Sequence, residues 1–115
     1  MKKLIALLVV VFAAFVLVAC APSTYEKAKA KMEDANYICT GGVNKEVGDN
    51  GEVATLTGTI NLKENFVAVL YDSTANAKKA FNDSKDAEGK APENLERVGK
   101  WVIYGSEGAV KTFKK

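Results

Sequence analysis

Three observations predict an α+β domain. Residues 53–62 alternate between apolar and polar side chains, as a half-buried strand does. Residues 24–35 place apolar side chains at helical spacing. From Phe66 onward, apolar runs are each followed by a capped, helix-patterned segment. The expected architecture is a single small domain with a mixed four-stranded sheet and about three helices. Three strands form an antiparallel meander, and one further strand follows a helical crossover.

The chain opens with Lys2-Lys3 and an apolar run from Leu4 to Val18, closed by Leu17-Val18-Ala19-Cys20. The lysines favour retention of the amino end on the cytoplasmic side while the apolar run partitions into the membrane. Leu4–Ala19 is 16 residues, short of the roughly 20 that span a hydrocarbon core. No basic stop-transfer cluster follows, because Ala21-Pro22-Ser23-Thr24 comes next. A cleaved signal is therefore expected rather than a permanent span. Leu17, Val18, Ala19 and Cys20 resemble the lipobox of bacterial lipoproteins. That resemblance implies that the Cys20 thiol receives a diacylglyceryl group and that the chain is cut before Cys20, leaving the new amino group open to acylation. Buried acyl methylenes contribute about 0.8 kcal/mol each, and two chains anchor where one holds only marginally. The division expected is a signal peptide over 1–19, a lipidated tether over 20–24 and a folded domain over 25–115.

Ser23 or Thr24 is placed to cap a helix running to about Ala35. Its packing stripe is Tyr25, Ala28, Met32 and Ala35, and Asn36 is suited to a left-handed stop. Tyr37–Thr40 begins a strand that Gly41-Gly42 should weaken or bulge. Gly48-Asp49-Asn50-Gly51 is the clearest turn; its acids lack the ligand spacing of an EF-hand. Over Val53–Leu62, Ala54, Leu56, Gly58, Ile60 and Leu62 face one way, and Thr55, Thr57, Thr59 and Asn61 the other. Lys63-Glu64-Asn65 turns the chain into Phe66–Tyr71, apolar on both faces and so expected at the centre of the sheet. Asp72 or Ser73 caps a helix to about Asp83 or Ser84, packing through Ala77, Ala80 and Phe81. Asp83–Glu93 reads as a polar connection. Arg97–Tyr104 is expected as one final strand, parallel to its neighbour because a helix lies in the connection. Ser106-Glu107 opens a last helix packing through Ala109, Val110 and Phe113.

Tyr71-Asp72-Ser73 with Ala77-Lys78-Lys79-Ala80-Phe81 is echoed by Tyr104-Gly105-Ser106 with Ala109-Val110-Lys111-Thr112-Phe113. The simpler explanation is a shared demand: leave a strand, cap a helix, pack one phenylalanine. The ending Gly99-Lys100-Trp101-Val102-Ile103-Tyr104-Gly105, followed by a short helix, is similar to small lipoproteins of unknown function in low-GC Gram-positive bacteria. That resemblance implies no activity and carries no functional residue besides Cys20.

Charge and chemistry narrow the function classes. The chain has 16 basic and 14 acidic residues; without Lys2 and Lys3 the count is 14 against 14. A neutral domain lacks the basic surplus that nucleic-acid binding requires, so no nucleic-acid partner is expected. There is no histidine, which excludes Ser–His and Cys–His dyads and histidine-based metal sites. With Cys20 lipidated, Cys39 would be the one free thiol, so neither a metal site nor an intrachain disulfide is expected. Gly41-Gly42 lacks the lysine and spacing of a phosphate-binding loop. Glu33-Asp34, Glu93 and Glu96 fall in polar segments where carboxylates stay ionised and do little acid catalysis.

The reading is thus a non-enzymatic, lipid-anchored protein on the outer side of the cell membrane. Its partners are the membrane, through Cys20, and an envelope protein; no cofactor is expected and oligomeric state is left open. The contact surface expected is the sheet face of Thr55, Thr57, Thr59, Val67, Val69 and Tyr71, which the last helix could instead cover. The alternative is a small-ligand or peptide-binding accessory lipoprotein of a transport system, and an enclosed apolar pocket would favour it.

Overall fold

The computed structural model describes residues 22–61, 63–85 and 92–115. Residues 1–21, including Leu17, Val18, Ala19 and Cys20, lie outside the described residues, as does Leu62. The elements in order are α1 (Tyr25–Asp34), β1 (Ile38–Val43), β2 (Glu52–Ile60), β3 (Glu64–Tyr71), α2 (Thr74–Lys85), β4 (Glu96–Val98), β5 (Trp101–Gly105) and α3 (Glu107–Lys114). The strands form one antiparallel sheet of order β1-β2-β3-β5-β4. The protein is therefore α+β with three helices, and the central position expected for Phe66–Tyr71 is occupied by β3.

Two expectations about the sheet are corrected. Arg97–Tyr104 is not one strand but a hairpin, in which Val98 pairs with Trp101 across the two-residue turn Gly99-Lys100. Gly99 has φ +63°, the conformation that glycine adopts readily at the first central position of a tight hairpin turn. The sheet consequently has five strands, not four. The same reversal removes the expected parallel pair, because β4 runs back before β5 and β5 meets β3 antiparallel. The handedness rule applies to a helix joining two adjacent parallel strands, and here an additional strand intervenes. Gly41-Gly42 also produces no bulge: β1 pairs with β2 in unbroken register, and the irregularity lies between Glu52 and Ala54 instead.

The local signals act as their chemistry requires. The Thr24 hydroxyl accepts the Lys27 N–H at 3.1 Å and caps α1. Asn36, at φ +75°, ends it, and the N–H groups of Asn36 and Tyr37 return to the carbonyls of Glu33 and Met32. The Ser73 hydroxyl accepts the Asn76 N–H at 3.1 Å ahead of α2.

The main core lies between one face of the sheet and α1 with α3. It contains Ala28, Met32, Leu56, Phe66, Ala68, Trp101, Ile103, Ala109, Val110 and Phe113. Each large side chain buried here contributes about 1.5–3 kcal/mol. Trp101 and Phe113 meet edge to face at 5.2 Å, as Tyr37 and Phe66 do at 5.7 Å. Gly58 makes room for this packing: a Cβ there would sit 2.5 Å from the Phe66 ring. The Lys31 ammonium reaches from α1 to the carbonyls of Phe113 and Lys115, satisfying acceptors left open at the end of α3.

A smaller cluster holds the opposite face, where α2 lays Ala77 against Tyr71 and Val102, with Val69, Ala80, Phe81 and Leu95 around them. The two echoed segments thus send their helices to opposite faces of the sheet. They share a demand for a strand exit and a phenylalanine, not one packing arrangement.

Candidate interaction surface

The pairing register decides which expected surface residues lie together. Thr55 pairs with Val69, Thr57 with Val67 and Thr59 with Asn65, so these side chains share the face opposite the main core. The structure nevertheless splits the six expected contact residues. Tyr71 is buried, and Val69 packs against the α2 cluster. Thr57, Thr59 and Val67 remain in an open hollow of about 340 Å³ that also includes Ile38, Thr40 and Asn65. Thr55 is half-buried between the two regions. The last helix does not cover this face, because Ala109, Val110 and Phe113 pack into the main core. It is α2 that covers the far half.

The threonine hydroxyls are engaged within the sheet. Thr40 and Thr57 join through their Oγ1 atoms at 2.8 Å, Thr57 also approaches the Thr40 carbonyl at 3.4 Å, and Thr59 donates to the Glu64 carbonyl at 3.0 Å. The lining is mostly apolar as a result, more so than three threonines in a sequence suggest. Ile38, 72 % exposed, is the most exposed large apolar side chain of its lining.

A second open hollow of about 310 Å³ lies between the Gly48–Gly51 turn and α2. Asp49, Asn50, Asn76, Lys79 and Asp83 make it polar. Within it Lys79 pairs with Asp83 at 3.0 Å, and Asn76 donates to the neighbouring Asp72 at 2.7 Å. Among the described residues no group of three histidine, cysteine or acidic side chains is placed to hold a metal ion.

Tyr37, Cys39 and Tyr71 depart from their ordinary values. Burial, then the hydrogen bond to Glu64 and its negative charge, push the Tyr37 hydroxyl up to about 12. Burial raises the Cys39 thiol, with Glu33 adding to the effect and Lys29 opposing it. Burial and the charge of Glu52 raise Tyr71. A raised thiol has less thiolate at neutral pH and is a poorer nucleophile. Cys39 is half-buried against the core, with its sulfur 3.8 Å from the Tyr37 carbonyl, and acts as packing.

Sequence reasoning missed the part of β1 in this surface. Ile38 and Thr40 flank the hollow, and the available signal was the strand-like run Tyr37–Thr40 beside an alternating neighbour. No helix among the described residues is long and apolar enough to cross a membrane. No protein-family model matches the chain, and searches of curated proteins and of solved structures give no match.

Proposed function

We propose that the protein is held at the outer side of the cell membrane by acyl chains on Cys20 and serves as a non-enzymatic protein-interaction module of the envelope. The observation that carries this reading is the N-terminal pattern: Lys2-Lys3, an apolar run too short to span, and Leu17-Val18-Ala19-Cys20. Thr24 caps the first helix four residues after that cysteine, so a cut before Cys20 spares every described element. The open hollow of Ile38, Thr40, Thr57, Thr59, Asn65 and Val67 supports a contact with a protein, being apolar and shallow rather than enclosed. A transporter accessory binding a small ligand would need a closed apolar pocket, and both hollows described above are open.

Mass spectrometry of the chain purified from bacterial membranes tests the anchor. The expected product begins at Cys20 with a diacylglyceryl thioether, and Cys20→Ala leaves the precursor uncut. An unmodified Cys20 thiol at a free amino terminus ends the anchoring reading. For the partner, a photo-crosslinking residue at Val67 should capture an envelope protein in intact cells, whereas one at Lys78 on the outer side of α2 should not. Equal capture at both positions ends the contact reading.

A further inference from the structure

Trp101 opens β5 directly after the Gly99-Lys100 turn, and its indole N–H donates to the Pro22 carbonyl at 2.8 Å. The side chain is fully buried. An indole N–H buried without an acceptor is costly, so this bond holds Pro22 at the turn end of the sheet. A second tie follows at once: the Thr24 hydroxyl accepts the Lys27 N–H, and the Thr24 carbonyl accepts the Ala28 N–H. The chain is therefore fixed to the domain from Pro22 onward. One residue, Ala21, separates Pro22 from Cys20. Two peptide steps of about 3.8 Å keep the Cys20 Cα within about 7.6 Å of the Pro22 Cα.

The open hollow lies elsewhere. On the ladder Leu70 stands opposite Trp101, and Val67 and Asn65 come three and five residues before Leu70. At about 3.4 Å per residue these levels are about 10 and 17 Å along the strands from Trp101. Trp101 belongs to the face that α1 and α3 cover, whereas Thr57, Thr59 and Val67 stand on the other face. The hollow is thus separated from Pro22 both along the strands and by the sheet itself.

We infer that the Trp101–Pro22 bond sets how the domain stands on a lipid surface. The Gly99-Lys100 turn and the first turn of α1 face the bilayer, and the hollow of Ile38, Thr57, Thr59 and Val67 faces away. This rests on the acylation of Cys20 proposed above. A flat surface so close to Pro22 can meet the domain only on the side where Pro22 lies. Charge does not supply the orientation. The charged groups near this end are of both signs, Glu26, Glu52 and Asp72 standing with Lys27, Arg97 and Lys100. Mixed signs lack the basic cluster that draws a protein onto anionic lipid. The short covalent path is the hold, so the stance is the same on neutral and anionic lipid. A protein bound at the hollow reaches it from the side away from the bilayer.

The test uses the full acylated chain, purified from bacterial membranes and reconstituted in phosphatidylcholine vesicles with or without phosphatidylglycerol. Every variant carries Cys39→Ala. A fluorophore is attached at Lys100→Cys, or at Lys63→Cys between β2 and β3, both exposed positions, and a quencher is carried on lipid headgroups. Quenching should be several-fold stronger at Lys100→Cys on both lipid compositions, with circular dichroism matching wild type. A flexible Gly-Ser insert of about eight residues after Ala21 spans roughly 15 Å and should erase the difference. Equal quenching at the two positions of a vesicle-bound chain overturns the orientation and leaves the anchor standing. So does a difference that appears only with phosphatidylglycerol, or one that survives the insert. A chain that stays out of the vesicles ends the anchoring reading, and the orientation falls with it.

Discussion

The Tyr37 hydroxyl donates to Glu64 Oε1 at 2.8 Å, joining the residue just before β1 to the first residue of β3. Tyr37 also stacks edge-on against Phe66, so one side chain contributes to both the core and a polar tie at its margin. Its loss should be felt in two ways.

Tyr37→Phe keeps the ring and removes the hydrogen bond, and stability should fall by about 0.5–1.5 kcal/mol in chemical denaturation at neutral pH. The pH dependence has a definite sign. The folded state holds the Tyr37 proton to about 12, whereas the unfolded chain releases it near 10. Between those values the unfolded state binds fewer protons, so wild-type stability falls as pH rises. Tyr37→Phe should lose that part of the alkaline slope and keep the part from Tyr71, which is also raised. An unchanged slope would contradict the assignment.

Adjacent glycines in β1 should respond oppositely to alanine. Gly41 sits at φ +134°, and a Cβ there would lie 2.1 Å from the Thr55 carbonyl oxygen. Gly41→Ala should cost about 1–3 kcal/mol or more, measured by thermal melting. At Gly42 a Cβ meets nothing within 4 Å. Gly42→Ala should be neutral or stabilise by up to about 1 kcal/mol through the unfolded state.

Ser73→Ala should destabilise by about 1 kcal/mol, because Asn76 N–H loses its side-chain acceptor at the start of α2. Since α2 covers Tyr71, Val69 and Val102, local hydrogen exchange over residues 74–85 should rise more than exchange over α1. Uniform loss across both helices would show that α2 does not open on its own.

In the Cys20→Ala chain, Cys39 should alkylate about tenfold more slowly than a free thiol at mildly alkaline pH, since burial raises its pKa and limits access. Denaturant should abolish the difference. Equal rates in the folded chain would place Cys39 at the surface.

Sequence patterns identified most elements because their signals are local. Thr24 and Asn36 bracket α1, the alternation about Thr55, Thr57 and Thr59 defines β2, and Ala109, Val110 and Phe113 form a stripe that packs as spaced. The hairpin over 96–105 was missed because Arg97–Tyr104 is continuously rich in strand-forming residues. Gly99-Lys100 was its one interruption, and a glycine opening a two-residue turn was the readable sign. The expected contact face was divided for a different reason. Which half of a two-sided strand a helix covers depends on where α2 docks, and neither Val69 nor Tyr71 encodes that docking.

Trp101 is the chain's one tryptophan. It is fully buried, and its indole N–H donates to the Pro22 carbonyl at 2.8 Å. The chain's tryptophan fluorescence therefore arises from the point where Pro22 is moored to the sheet. A red-shifted, more quenchable emission would report release of Pro22 before the domain unfolds, without any label attached.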